Sequence, residues 1–182
     1  MHKSEITIEV TLFCPFECPI CSSDASLNGK PLKFDDIESF LRKNLPPSGI
    51  YDRIDLSGGE PLSHPDIWKI LNLCHKIAKK VRLYSNAIDE WAFNTTIIKN
   101  AKFIANVPLA PNVDIHIPSP EDLEIHVLKF IPQGRGKKLQ PLNIHFSSNI
   151  TNPEKCNSCT NITLKGDGTV AKSPCRKDDI IG

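Results

Sequence analysis

The stretch that decides the reading is Thr11-Leu12-Phe13-Cys14-Pro15-Phe16-Glu17-Cys18-Pro19-Ile20-Cys21. Its cysteines, Cys14, Cys18 and Cys21, follow the pattern C-x-x-x-C-x-x-C. Immediately upstream, Glu5-Ile6-Thr7-Ile8-Glu9-Val10-Thr11-Leu12 alternates polar and apolar side chains and is rich in β-branched residues, as a half-buried strand is. The thiols therefore fall on a loop at the C-terminal end of a first strand, where α/β sheets and barrels carry their chemistry. Pro15 and Pro19 keep a helix from running through that loop. Three thiols on one tight loop suit a soft metal or an iron–sulfur cluster. A structural zinc site wants a fourth ligand, and no further cysteine lies before Cys74. A disulfide leaves one thiol over, and a redox reading of Cys18-Pro19-Ile20-Cys21 leaves Cys14 unexplained. Spacing alone leaves both cluster and zinc standing.

Outward from the loop, Arg53-Ile54-Asp55-Leu56 reads as a second strand, and Ser57-Gly58-Gly59-Glu60-Pro61 follows it directly. By itself such a segment is also a tight strand-to-helix turn. Its glycines, lacking Cβ atoms, would let the backbone approach a ligand closely. The cysteine loop and this turn together resemble the radical S-adenosylmethionine (radical SAM) superfamily. The resemblance implies a 4Fe-4S cluster on Cys14, Cys18 and Cys21, with S-adenosylmethionine (SAM) bound at its open iron. It implies that Gly58, Gly59 and Glu60 hold the methionine end of SAM and that Ile20 contacts the adenine. It places Ser85 and Asn86, at the end of a third strand, close to SAM. It also implies one-electron cleavage of SAM to a 5′-deoxyadenosyl radical, hydrogen abstraction from a substrate, and an electron donor such as flavodoxin or ferredoxin.

The chain has 182 residues, 40% of them hydrophobic, enough for one ordinary core. A net charge of +1 argues against a nucleic-acid footprint. The N-terminal residues are not followed by an apolar signal core, and no apolar run reaches membrane-spanning length. A reducing cytoplasm is the expected setting, where seven cysteines serve as ligands or core thiols.

Periodicity predicts a helix over residues 35–44, with Ile37, Phe40 and Leu41 on one face, ended by Pro46 and Pro47. The clearest helix is over residues 65–80, where Ile67, Ile70, Leu71, Cys74, Ile77 and Ala78 form one stripe. Cys74 reads as a buried core thiol. Residues 81–84 give a third strand, residues 89–101 a further helix, and residues 103–109, 113–117 and 123–131 later strands joined by turns and prolines. The fold class expected is α/β, a reduced partial (β/α) barrel of the radical SAM type. Its open side would be covered by a partner subunit or a second copy. Gln133 and Arg135, in a glycine-rich basic loop after the last of these strands, are candidate substrate residues, and a solvated basic turn reads equally well. The six histidines show no metal spacing.

A second constellation closes the chain. Cys156 and Cys159 form a C-x-x-C, residues 162–164 and 169–171 flank Lys165-Gly166-Asp167-Gly168 as a β-hairpin, and Cys175 lies just beyond. The hairpin would return Cys175 to the first two thiols. A zinc knuckle is one reading. The pattern also resembles the “twitch” or SPASM modules of radical SAM enzymes, nearest to the GTP cyclases of molybdenum-cofactor biosynthesis, which are much longer. That resemblance implies a second, auxiliary 4Fe-4S cluster on Cys156, Cys159 and Cys175. The expected division is a core over residues 1–150 and an auxiliary module over residues 151–182. Three functions follow from this reading. One is hydrogen abstraction from a small-molecule substrate, a nucleotide-like metabolite being one candidate. The others are modification of a peptide or protein, and a non-catalytic iron–sulfur or zinc protein. No catalytic residue is assigned.

Overall fold

The computed structural model describes residues 4–16, 21, 23–85, 102–108, 124–128, 161–172 and 180–181, with 102–108 and 124–128 as backbone. Strand β1 (Glu5–Glu9) leads through the cysteine segment to helix α1 (Phe34–Lys43), then β2 (Arg53–Ser57). A short 3-10 turn (Pro61–Ser63) and helix α2 (Ile67–Ile77) precede β3 (Val81–Ser85). Then come β4 (Lys102–Pro108), β5 (Glu124–Leu128), β6 (Ile162–Leu164) and β7 (Val170–Ala171). They form one sheet in the order β5-β4-β3-β2-β1-β6-β7. Every neighbouring pair is parallel except β6 and β7. Helices α1 and α2 occupy the β1-to-β2 and β2-to-β3 crossovers, the α/β arrangement expected of parallel strands.

The period-2 pattern of the first three strands sorts their side chains onto two faces. Ile6 and Ile8 of the first, with Val10 just beyond it, Ile54 and Leu56 of the second, and Val81 and Leu83 of the third join one apolar core. The helices contribute Ile37, Phe40 and Leu41 from α1 and Ile67, Ile70, Leu71 and Cys74 from α2. Tyr51, wholly buried, donates from its hydroxyl to the Leu41 carbonyl at 2.7 Å and so ties α1 to the start of β2. Burial, and then the nearby Cys74, push its phenol pKa up.

The strands and helices fall where periodicity puts them, with shifted ends. The second helix begins at Ile67 and ends at Ile77. The His64 ring accepts from the Asp66 N–H at 3.0 Å, which closes a turn ahead of it. Beyond the helix, the Tyr51 N–H donates to the Ile77 carbonyl and the Lys79 N–H to the Tyr51 carbonyl, so residues 77–79 run beside Tyr51 instead of continuing the helix. The first strand stops at Glu9, after which only isolated bridges remain, Thr11 to Pro31 and Phe13 to Ser26. The expected hairpin is present in β6 and β7. It joins the β1 edge of the same sheet, with Ile6, Thr7 and Ile8 registered against Ile162, Thr163 and Leu164. The helix expected over residues 89–101 and the strand over 113–117 lie outside the described residues. Among the described residues no helix is long and apolar enough to cross a membrane.

Cys74 is wholly buried, and burial pushes its thiol pKa up to about 12. It should therefore resist alkylation in the native protein and react only on unfolding. Cys74→Ser, which buries a hydroxyl in an apolar setting, should cost roughly 1–3 kcal/mol in urea unfolding. Rapid native alkylation of Cys74 would contradict this packing.

Candidate cofactor site

The chain leaving β1 is gripped from both sides by main-chain hydrogen bonds. On one side the Val10 N–H donates to the Ser57 carbonyl (2.8 Å), the Gly59 N–H to Thr11 (2.6 Å) and the Glu60 N–H to Phe13 (2.9 Å). On the other, the Leu12 N–H donates to the Lys30 carbonyl (3.0 Å), Leu32 to Val10 (2.9 Å), Cys14 to Ser26 (3.0 Å) and Ser26 to Leu12 (3.0 Å). The cysteine segment is thus a strip of backbone between the Ser57–Glu60 turn and the loop over residues 26–32. Such closeness excludes side chains. A Cβ on Gly59 would overlap the Phe13 carbonyl, and one on Gly58, which sits at φ +141, would overlap that of Thr11. Gly29 faces the Leu12 carbonyl under the same restriction, while Gly166 lies against the Leu12 side chain. The sequence suggests that the glycines make room for a ligand. The geometry gives them a nearer task, admitting the cysteine segment itself.

Two carboxylates anchor this assembly. Glu60 is buried, and its Oε1 accepts from the Leu62 N–H at 3.1 Å and from the Ser85 hydroxyl at 2.7 Å. The Ser85 bond links the end of β3 to the turn after β2. Glu9, also buried, accepts from the Lys165 ammonium at 2.9 Å and from the Gly166 N–H at 3.1 Å. That pair clamps the β6–β7 hairpin onto the end of β1. Sequence reading missed it, because 156 residues separate the partners. The one available signal was an acidic residue on the polar side of a strand.

Of the residues picked from sequence, Cys14 is buried beside Ser26, and Cys21 is half-buried with its sulfur 3.4 Å from the Ser23 hydroxyl. Cys21 stands outside any disulfide. Gly58, Gly59, Glu60 and Ser85 are brought together with Cys14 around the ends of the first three strands. Cys18, Ile20, Asn86, Gln133, Arg135, Cys156, Cys159 and Cys175 lie outside the described residues. Among the described residues no three potential ligands converge. The donor chemistry still fits an iron–sulfur cluster, since the soft thiols of Cys14 and Cys21 stand on a short loop at a strand end. His64 is structural. Its Nδ1 accepts from Asp66, which leaves the proton on Nε2 to donate to the Leu32 carbonyl at 2.8 Å.

The face of the sheet turned away from the helices is polar throughout β1, β2, β3 and β6. Glu5, Thr7 and Glu9 alternate with the core residues of β1, Arg53, Asp55 and Ser57 with those of β2, and Arg82 and Tyr84 with those of β3. Thr163 continues the face on β6. Thr7, Glu9, Asp55 and Thr163 are buried there. Burial holds the Asp55 carboxyl above the usual range, against the opposing pull of Arg53 and Arg82. A buried face of this composition is a polar layer held by hydrogen bonds and ion pairs, not a second apolar core.

Comparison with known proteins agrees with this geometry. A family model described as the radical SAM superfamily matches residues 8–141. The chain is 36% identical over 81 residues to a PqqA peptide cyclase of Methylorubrum extorquens (strain PA1), covering 44% of this chain and 20% of that protein. It is 34% identical over 96 residues to a 7,8-dihydro-6-hydroxymethylpterin dimethyltransferase of Methanocaldococcus jannaschii, covering 48% and 18%. A PqqA peptide cyclase of Bradyrhizobium diazoefficiens is 34% identical over 85 residues, covering 46% and 21%. The matched part is thus a minor share of each relative's length.

The glycine contacts make a direct prediction. Gly59→Ala should destabilise the protein by more than about 2 kcal/mol, because the Phe13 backbone must shift. Gly49→Ala is the control. Its φ is +74 and a Cβ there meets nothing within 4 Å, so only the backbone term of about 1–2 kcal/mol applies. Equal costs in denaturant unfolding would show that Gly59 is not pressed against Phe13.

Proposed function

The chain belongs to the radical SAM superfamily, and from that premise we propose that it is an enzyme that reductively cleaves SAM and abstracts a hydrogen atom from a small polar substrate. Cys14, Cys18 and Cys21 would hold a 4Fe-4S cluster, and Gly58, Gly59 and Glu60 the methionine end of SAM. When bound, the cluster supplies the electron that splits SAM and so the radical that takes the hydrogen. The observation that carries this reading is the pair of main-chain bonds from Gly59 and Glu60 to Thr11 and Phe13. They make the cysteine segment and the Gly-Gly-Glu-Pro turn one unit, so that groups bound to each would be held in fixed relation. Ser85, through Glu60, extends that unit to β3. Ile20 and Asn86 complete the proposed SAM contacts.

The finer parts of the reading are proposals of the same kind. Cys156, Cys159 and Cys175 would bind an auxiliary 4Fe-4S cluster in a twitch- or SPASM-like module over residues 151–182. The antiparallel pairing of β6 and β7 supports this, because those cysteines flank this hairpin in sequence. Gln133 and Arg135 would contact substrate, and flavodoxin or ferredoxin would supply the electron. The polar, buried face of the sheet favours a small polar substrate. One observation favours a peptide instead, the name peptide cyclase borne by relatives at 34–36% identity.

Anaerobic reconstitution should yield about four iron and four sulfide per cluster, or about eight of each with both sites filled. The reduced protein should convert SAM to 5′-deoxyadenosine, and Cys14→Ala/Cys18→Ala/Cys21→Ala should abolish this. Stoichiometric zinc without sulfide, or undiminished 5′-deoxyadenosine from the triple variant, would overturn the assignment.

A further inference from the structure

Leu12, two residues ahead of Cys14, is closed in from two directions. Gly29 stands against its carbonyl. Gly166, buried in the turn of the β6–β7 hairpin, stands against its side chain, where a Cβ would come within 2.7 Å of Cγ and 2.9 Å of Cδ2. The Leu12 main chain is engaged at both ends. Its N–H donates to the Lys30 carbonyl and its carbonyl accepts from the Ser26 N–H, each at 3.0 Å. The Ser26 carbonyl in turn accepts from the Cys14 N–H at 3.0 Å. Close-packed groups transmit strain, so a displacement of Leu12 is passed through Ser26 to Cys14.

Glu9 is what seats Gly166. One of its carboxylate oxygens accepts from the Gly166 N–H at 3.1 Å and the other from the Lys165 ammonium at 2.9 Å, so one side chain holds two consecutive residues of the turn. The turn is itself closed, with the Lys165 N–H donating to the Thr169 carbonyl at 2.7 Å and the Gly168 N–H to the Lys165 carbonyl at 2.9 Å. It therefore moves as one piece. Strand pairing of β6 with β1 ends at Leu164 opposite Ile8. Beyond that pair, the Glu9 side chain sets where the turn lies.

We infer that Glu9 is a positioning residue for the cysteine segment, seating the hairpin turn against Leu12 so that the hairpin forms one wall of the proposed cluster site. Glu9 acts through Gly166, Leu12 and Ser26. A ligand loop's geometry is set by the groups that hold it, which is how a carboxylate five residues ahead of Cys14 in sequence bears on what Cys14 binds. The inference rests on the radical SAM reading only for the identity of that bound group.

The test reads position rather than stability. It uses amide 1H–15N shifts of the full chain, without cluster, reduced and kept under argon. A variant that merely lowers stability leaves the shifts of its folded molecules in place. In Glu9→Gln the one carboxamide oxygen serves a single donor and the NH2 faces the other, so the Leu12 and Cys14 amides should shift along with that of Gly166. In Glu9→Gln/Lys165→Met no cation remains, the oxygen is free for Gly166, and the Leu12 and Cys14 shifts should return to wild-type values. Gly166→Ala keeps the Glu9 bonds and presses on the flexible Leu12 side chain, so it should fold and yet displace the same two amides. Should Glu9→Gln not fold, Glu9→Asp, which keeps the charge and sets the carboxylate back by one methylene, should displace them instead. After anaerobic reconstitution in a Cys156→Ala/Cys159→Ala/Cys175→Ala background, the EPR g values of the reduced cluster should change in Glu9→Gln and Gly166→Ala and return in the double variant. Shifts confined to the hairpin, no return in the double variant, or g values that stay unchanged on a loaded cluster would overturn the inference. Displaced Leu12 and Cys14 amides in a chain that takes up no iron and sulfide would uphold the Glu9 route and defeat the radical SAM reading.

Discussion

The structure depends on how closely three stretches of backbone approach one another at the end of β1. Residues 10–14 carry hydrogen bonds to the Ser57–Glu60 turn on one side and to residues 26–32 on the other. Each such bond adds only about 1 kcal/mol net, but together they fix the strip at main-chain separation. Glycine is required wherever a side chain would otherwise stand between the backbones of this contact, at Gly29, Gly58 and Gly59. The consequence is mechanical. Cys14 cannot move relative to Gly59 without breaking bonds that also hold the sheet. A site that must keep two bound groups in register is served by such a connection more directly than by side-chain contacts, which have rotamers to lose.

The sheet separates two tasks by its pleat. One face, aliphatic through β1, β2 and β3 as far as Leu83, packs on α1 and α2 and supplies the core. The other is polar and substantially buried. Its ion pairs lie at increasing heights along the strands, Glu5 with Arg53 at the N-terminal end and Glu9 with Lys165 at the C-terminal end. The second is only about a tenth exposed on each side chain, 13% and 10%, so loss of either partner would leave a largely desolvated charge. It also holds the hairpin against β1, covering an edge that an open parallel sheet would otherwise present.

Much of this was legible in the sequence for a simple reason. Period-2 and period-3.6 patterns report which face is buried, and burial here is strong, so β1, β2, α1 and α2 stand out. The hairpin was legible from Lys165-Gly166-Asp167-Gly168, where Gly168 does adopt a φ of +86. Cys74 was legible as core because it lies on the apolar stripe of α2. What was not legible is long-range. Nothing local in residues 162–164 says that they pair in parallel with Ile6, Thr7 and Ile8, and nothing in Glu9 names Lys165 as its partner. A second use of Gly59, admitting the Phe13 backbone, was not legible, since sequence does not show which strand passes beside the turn.

The central claim is that the cysteine segment and the Gly-Gly-Glu-Pro turn are a single unit held by backbone hydrogen bonds. Amide hydrogen exchange, resolved by residue, tests it most directly. The N–H groups of Leu12, Cys14, Gly59 and Glu60 should exchange slowly and with one common opening free energy, close to that of Val10 and the β2 amides. Anaerobic cluster loading should then raise the protection of all four together. Rapid exchange at Gly59 and Glu60 beside a protected Val10, or protection on loading that is confined to the cysteine segment, would contradict the account.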